Sequence, residues 1–387
     1  MQLIDNTTDL QSLCRRLSKQ QFVCVDLEFL REHTYFAKLC LVQIAAIDES
    51  AIIDPLASDI DLSSFFDLIQ NQNVTKVFHS GRQDIEIIYN LSGKIPSPLY
   101  DTQIAAQAAG YGESVSYESL VSQILHIELD KSSRLSDWSR RPLSQNQLSY
   151  ALSDVTHLVN LYSNLTAWLQ DNNREHWIDE DLKALADEAL YQIDPYTVWQ
   201  KIKHRSHSPF FLTVLRELAA WREQRAITKN VPRHSFIKDD LLLNICAVCP
   251  DTKQTLSSIR GMRQDIASGK IGDEIIAVIQ KAKNIAPTDY VIPPAEKESL
   301  CADTALMELL RLLLKTVAQE QKLTPKMIAH DDDLRKFCLY QQNIPFLQGW
   351  RYDIFGIKAE KLRNGNTAVS YDQQLHTLNF IDLSKQD

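Results

Sequence analysis

Two carboxylates, Asp26 and Glu28, interrupt the apolar run VCVDLEFL. On a strand, residues two apart project to the same face. Both acids would then enter one pocket while Val23, Val25 and Leu27 face the other way. Burying unpaired carboxylates is costly. Hard divalent cations such as Mg²⁺ or Mn²⁺ offset that cost and prefer oxygen ligands. Asp84 closes VFHSGRQD, a strand that leads through a glycine-containing turn into a helix. It would lie in the helix's first turn, where the dipole favours negative charge. Tyr150 and Asp154 lie in LSYALSDVTHL, and a four-residue spacing on a helix puts both on one face. Taken singly, each has a plainer reading. Asp26 and Glu28 fit a strand end that has reached solvent, Asp84 a helix-start aspartate, and Asp154 a capping or surface group beside a core tyrosine.

An α/β framework is needed to bring such distant residues together. FVCVDLEFL, KLCLVQIAAI, SAIIDPL and VTKVFHS read as strands. TDLQSLCRRLSK, LSSFFDLIQN and RQDIEIIYNLS read as helices, and Asp101 opens a further one, DTQIAAQAAGYG, closed by Gly110 and Gly112. Residues 1–170 are therefore expected to form a mixed sheet with helices on its faces. Strand signals then fade. A helical connector is expected over 171–208, followed by two all-α domains over 209–290 and 299–387, joined by a Pro-containing linker around 284–298. Each helical segment has a long helix, a Pro-marked turn (NVPRHSFIKDDLLLNIC against LTPKMIAHDDDLRKFC) and further helices, a weak internal repeat.

Composition narrows the class of protein. The chain of 387 residues is 44% hydrophobic and 24% charged, ordinary for a globular protein. No apolar stretch approaches the ~18–20 residues of a membrane span, and MQLIDNTTDLQSLCRR lacks the apolar core of a secretory signal. Seven scattered cysteines, an odd number, argue against a disulfide framework and for the cytoplasm. Cys246 and Cys249 form a lone C-x-x-C that reads as core cysteines rather than half a zinc site. Walker A, Rossmann glycine and serine-hydrolase elbow motifs are absent from the sequence. Net charge is −9, unevenly spread. Residues 1–170 hold 12 Lys+Arg against 20 Asp+Glu, about −8, whereas residues 197–290 hold 15 against 9, about +6. A basic half of this kind can hold phosphates.

The combination is more specific than its parts. D-x-E on a first strand, an aspartate 56 residues beyond Glu28, and Y-x-x-x-D starting 66 residues after that resemble the three motifs of the DEDD exonucleases, tyrosine subtype. The stretches VDLEFLREHTYFAKLCLVQIA, KVFHSGRQDIEIIY, YDTQIAAQAAGYGESVSYESLV and LDKSSRLSDWSRRPLSQNQLSYALSDVTHL resemble the ribonuclease D family nearly throughout. The two helical segments resemble its tandem HRDC domains, the second more weakly. Leu27, where relatives often carry threonine, departs from the pattern but points away from the carboxylates.

The resemblance implies a ribonuclease H-like exonuclease domain that removes nucleotides from RNA 3′ ends, including those of precursor tRNA, and releases nucleoside 5′-monophosphates. It implies that Asp26, Glu28, Asp84 and Asp154 hold two divalent ions, Mg²⁺ or Mn²⁺, with Asp26 the bridging candidate. Tyr150 would orient the attacking water. Lys131 and Arg134 would contact the RNA backbone. Trp138 is expected to pack rather than stack on a base, and His79 to be a hydrogen-bonded turn residue. Arg140 and Arg141 fit either phosphate contacts or a helix cap. Lys201, Lys203, Arg205, Arg222, Arg225, Lys229 and Arg233 make the first helical domain the expected site of added RNA affinity. The second would close the molecule into a ring or clamp, and the protein is expected to act as a monomer, free of membrane. A single-strand DNA exonuclease with the same core and a non-catalytic RNA-binding protein are the alternatives.

Overall fold

A computed structural model of the chain describes residues 2–129, 136–206, 208–293, 304–374 and 376–383. The chain divides into two compact units, both discontinuous in sequence: Met1–Glu28 with Leu39–Leu190 and Ser299–Asp387, and Phe29–Lys38 with Tyr191–Glu298.

The first unit is built on a six-stranded mixed sheet of order β1-β4-β3-β2-β5-β6. Its strands are β1 (Gln2–Ile4), β2 (Phe22–Leu30), β3 (Lys38–Ala45), β4 (Ser50–Ile53), β5 (Thr75–Phe78) and β6 (Leu99–Asp101). β2, β5 and β6 run parallel, with Cys24 opposite Val77 and Phe78 opposite Asp101, while β3 and β4 are antiparallel. Phe22 to Val25 are buried consecutively, so both faces of the sheet are covered there. β1 and β6, three residues each, are too short to show a period and are not legible as strands. The helices are α1 (Thr7–Leu17), α2 (Ser63–Gln70), α3 (Arg82–Ser92), α4 (Thr102–Ala108), α5 (Tyr117–Leu125) and α6 (Gln145–Asp171). Asn6, Asp101, Ser116 and Ser144 cap α1, α4, α5 and α6 with their side chains, which fixes where each helix begins.

The chain from α7 (Asp179–Leu185) to Leu190 stays in the first unit, so the stretch read as a connector is divided between the two units. The second unit holds α8 (Pro209–Lys229), α9 (Asp239–Val248), α10 (Lys253–Ser257), α11 (Gln264–Ser268) and α12 (Lys270–Lys283) around Leu215, Leu242, Ile245 and Ile275. Cys246 belongs to that core, and Cys249, partly buried against it, follows α9 in the left-handed conformation. The segment Phe29–Lys38 is part of this unit. The Tyr35 hydroxyl donates to Glu223, and the backbone N–H groups of Tyr35 and Phe36 donate to Asn230 Oδ1 at 3.1 and 3.0 Å.

The C-terminal segment departs from the expected separate all-α domain. It contains α13 (Thr304–Gln321), α14 (Pro325–Ile328), α15 (Asp331–Cys338), α16 (Gly349–Arg351) and α17 (Ile357–Arg363). An antiparallel hairpin follows, β7 (Thr367–Asp372) and β8 (Thr377–Asp382), in six-residue runs that local periodicity alone leaves ambiguous. Leu310, Val317, Phe337 and Phe346 share one apolar cluster with Ala105, Leu120 and Leu161 of α4, α5 and α6. Trp350 stacks on Trp177 with ring centroids 4.3 Å apart and planes inclined by 7°. Arg174 lies over the same Trp177 ring and donates to the carbonyls of Ala108 and Gln321, both at 3.0 Å. The segment therefore completes the core of the first unit. No helix among the described residues is long and apolar enough to cross a membrane.

Trp350→Ala is expected to destabilise the first unit by about 3–5 kcal/mol, the range for truncating a buried aromatic. Urea unfolding followed by far-UV circular dichroism would read the loss, and an unchanged midpoint would contradict the shared core.

Candidate active site

β2 presents Asp26 and Glu28 on one face, alternating with the buried side chains of Val25 and Leu27. Asp84 arrives from the first turn of α3. Between β5 and α3 the chain turns through Ser80, which has φ 56°, and Gly81, where a Cβ would lie 2.4 Å from the Cβ of Phe78. Only glycine fits that approach. Leu27, where the sequence departs from the family pattern, is buried and alternates along β2 with the two carboxylates.

α6 carries Tyr150 and Asp154 one turn apart. Its start is fastened by a capping box between Ser144 and Gln147 and by Arg141, whose Nε and Nη2 lie 2.6 and 2.7 Å from the Asp54 carboxylate. Arg141 Nη2 also donates to the Cys40 carbonyl at 2.8 Å. Arg141 is thus a structural clamp, while Arg140 is an exposed surface group paired with Asp137. Trp138, 2% exposed, packs with its ring 6.2 Å from that of Tyr150, as expected. His79 lies 3.0 Å from Thr102 Oγ1 and 3.2 Å from the Val115 carbonyl, a hydrogen-bonded turn residue whose ring also lines the pocket.

These elements enclose a cavity of about 300 Å³ lined by Asp26, Glu28, Tyr150 and Asp154, together with His79, Tyr117 and Glu118. Carboxylate oxygens of Asp26, Glu28 and Asp154 lie within 4.8 Å of one another. Asp84 is not one of that trio, but it is 8% exposed and electrostatically coupled to Asp26 and Glu28. Burial first, then mutual repulsion, pushes these acids up. Asp154 rises to about 8 under burial and the charges of Asp26 and Glu118, against a hydrogen bond from Tyr150. Glu28 rises to about 9 under burial and the charges of Asp26, Asp154 and Asp84. Burial raises Asp26 to about 7, against a hydrogen bond from the Leu27 amide. Asp84 is also raised, by burial and by Asp26. No Lys or Arg side chain lines the cavity among the described residues. A cluster of partly buried oxygen donors with no Lys or Arg lining its cavity among the described residues is what a hard divalent cation fits. The Tyr150 phenol is pushed above its ordinary value by burial and by Asp154, so it is a neutral hydrogen-bond donor rather than a base.

Sequence reading missed Tyr117 and Glu118. The Tyr117 hydroxyl donates to the backbone carbonyls of Asp154 and Ser153, at 2.6 and 3.1 Å, and so anchors α6 beside the pocket. The only signal was their place in the family-like stretch SYESLV. Lys131 and Arg134 lie outside the described residues. In the second unit, three cations nominated for RNA are committed elsewhere. Arg222, 2% exposed, pairs with Asp239 at 2.8 Å, Arg225 with Glu274 at 2.6 Å and Arg233 with Glu223 at 3.0 Å. Lys201, Lys203, Arg205 and Lys229 are exposed.

A mixed sheet bearing paired carboxylates on a central strand, faced by an aspartate and a tyrosine from a helix, defines a 3′-5′ exonuclease. A family model described as 3′-5′ exonuclease matches residues 1–170, and one described as HRDC domain matches residues 211–279. Ribonuclease D of Bartonella henselae is 42% identical over 94% of this chain and 90% of that protein. Ribonuclease D of Granulibacter bethesdensis is 40% identical over 96% of this chain and 94% of that protein. The crystal structure of Escherichia coli RNase D has the same fold, with a TM-score of 0.80 at 24% identity, over 94% of this chain and 98% of that one. The chain belongs to the ribonuclease D family and is a 3′-5′ exoribonuclease.

The Arg141–Asp54 clamp yields a pH test. Burial alone would raise Asp54, but hydrogen bonds from Arg141 and the Leu56 amide, with the guanidinium charge, hold it below the usual carboxylate range. Stability from the pair is complete above the unfolded carboxyl pKa and is lost as pH falls through the lower folded value. Asp54→Asn should lower the urea midpoint near pH 7, and its gap from wild type should narrow below about pH 4. A gap that does not change with pH would contradict the clamp.

Proposed function

We propose that Asp26, Glu28, Asp84 and Asp154 hold two divalent cations, Mg²⁺ or Mn²⁺, and that Tyr150 orients the water that attacks the terminal phosphodiester, as in the tyrosine subtype of DEDD exonucleases. The observation that carries this reading is the convergence of three carboxylates within 4.8 Å, with the charge of Asp26 bearing on buried Asp84. When bound, such a pair makes hydroxide available near neutral pH and offsets charge on the attacking and leaving oxygens. Asp26 is the acid whose charge bears on Glu28, Asp84, Asp154 and Tyr150 alike, and it would be central among the residues that hold the cations. Tyr150 donates its proton to Asp154, which leaves its oxygen lone pairs to accept from water and so aim it.

The substrate is RNA with an accessible 3′ end, including precursor tRNA, released stepwise as nucleoside 5′-monophosphates. The E. coli relative is described as an exoribonuclease involved in structured RNA processing, in keeping with this substrate. Lys131 and Arg134 are assigned to the RNA backbone from their sequence position. Exposed Lys201, Lys203, Arg205 and Lys229 add electrostatic affinity on the HRDC unit. The segment 304–363 is read as a diverged second HRDC copy, because α13, the Pro325 turn and α15 repeat the order of α8, the Pro232 turn and α9. The enzyme would act as a cytoplasmic monomer.

Incubating the full chain with a 3′-extended tRNA, with Mg²⁺ or with a chelator, tests the reading by product length. Asp26→Ala and Asp154→Ala should abolish nucleotide release while the circular dichroism spectrum is kept. Tyr150→Phe should lower kcat by roughly 10²-fold, in the range for a positioned proton-handling group, with Mn²⁺ affinity retained. Full activity of Asp154→Ala would refute the ligand assignment.

A further inference from the structure

Asp101 does more than cap its own helix. It is 2% exposed and ends β6, opposite Phe78 of β5. Its carboxylate receives four backbone N–H groups. Two belong to the start of α4: Gln103 at 2.8 Å and Ile104 at 3.4 Å, an ordinary N-cap. The other two belong to a different element: Ser80 at 3.1 Å and Gly81 at 2.8 Å, in the turn that launches α3. α3 has no side-chain cap of its own, since its N-cap position is Gly81. One carboxylate therefore serves the starts of two helices.

The turn it holds is one the chain would not keep unaided. Ser80 is left-handed at φ 56°, a conformation that non-glycine residues adopt only when their surroundings impose it. Thr102, fully buried, adds the remaining fastenings. Its Oγ1 lies 3.1 Å from the Phe78 carbonyl and 3.0 Å from His79 Nδ1. Residues 78 to 81 are thus each tied to Asp101 or Thr102. Asp84 stands three residues further on, and the first helical hydrogen bond, from the Ile85 N–H to the Gly81 carbonyl, is 2.9 Å. A shift of the turn moves the Asp84 carboxylate with it.

We infer that Asp101, with Thr102, is a positioning residue for Asp84, fixing the turn from which that carboxylate reaches the cation pocket. The inference rests on the reading of Asp84 as a cation ligand. Electrostatics alone would not place an acid at position 101, because its negative charge disfavours ionised Asp84. What the side chain supplies is two acceptor oxygens for four amides. Asparagine would keep the shape but turn an NH₂ donor toward an N–H donor.

Calorimetric titration of the full chain with Mn²⁺ tests this, using wild type, Asp84→Ala, Asp101→Asn and Thr102→Val. Asp101→Asn is expected to weaken Mn²⁺ binding about 10–100-fold, the usual cost of losing an outer-shell support. Activity should return as Mn²⁺ is raised, and the melting midpoint in chelator should fall, because a buried amide loses its acceptor. Thr102→Val should show a smaller loss of the same kind. Mn²⁺ affinity of Asp101→Asn within about twofold of wild type, while Asp84→Ala binds poorly, overturns the inference and leaves the ligand assignment standing. Wild-type affinity in Asp84→Ala overturns both. Should Asp101→Asn not fold, Thr102→Val decides, and unchanged Mn²⁺ affinity there overturns the inference.

Discussion

Three acidic side chains, Asp26, Glu28 and Asp154, converge in one cavity, with the charge of buried Asp84 bearing on Glu28, and the cost of crowding them is the constraint around which the first unit is arranged. Each acid alone would be a modest burden. Together, burial raises Asp26, and burial with like charge raises Glu28, Asp154 and Asp84. A folded protein tolerates such crowding when something outside the chain makes it favourable. A structural ion pair would have placed a guanidinium or ammonium among the acids, as Arg141 does for Asp54. Among the described residues, no guanidinium or ammonium lines the pocket, and the acids are left to one another.

Repulsion of this kind would push the three contributing elements apart if they were loosely held. Each is pinned by contacts outside the pocket. β2 is locked between β3 and β5 in the sheet. The start of α3 is held by the Asp101 carboxylate through backbone amides rather than by its own residues. α6 is clamped at its beginning by Arg141 and beside the site by Tyr117, whose hydroxyl reaches the carbonyl of Asp154 itself. The C-terminal segment extends the same core beneath α4 to α6. Rigidity is purchased away from the chemistry, so the pocket can keep an arrangement that its own electrostatics oppose.

This division explains what was legible in the sequence. Asp26 and Glu28 announced themselves because strand alternation is local, and Tyr150 with Asp154 because helical spacing is local. Asp84 was legible as a helix-start acid, and family resemblance joined the three sets. Tyr117 and Asp101 act through backbone groups of distant segments, and no local pattern encodes a partner 20 or 37 residues away. Charge counting erred in the second unit for a related reason. It registers Arg222, Arg225 and Arg233 as cations without seeing that Asp239, Glu274 and Glu223 neutralise them in the fold. The terminal hairpin and the merging of residues 304–383 into the first core depend on long-range packing, which helical periodicity does not carry.

The charge asymmetry of the chain acquires a physical sense from the pocket. An acidic catalytic unit repels a polyanion, so RNA affinity cannot come from the residues that handle the reaction. Exposed Lys201, Lys203, Arg205 and Lys229 can supply attraction without sequence preference, because phosphate contacts read no bases. A substitution that adds positive charge beside the carboxylates would compete with the cations they are built to hold, whereas the same charge on the HRDC unit would only tighten the grip on RNA.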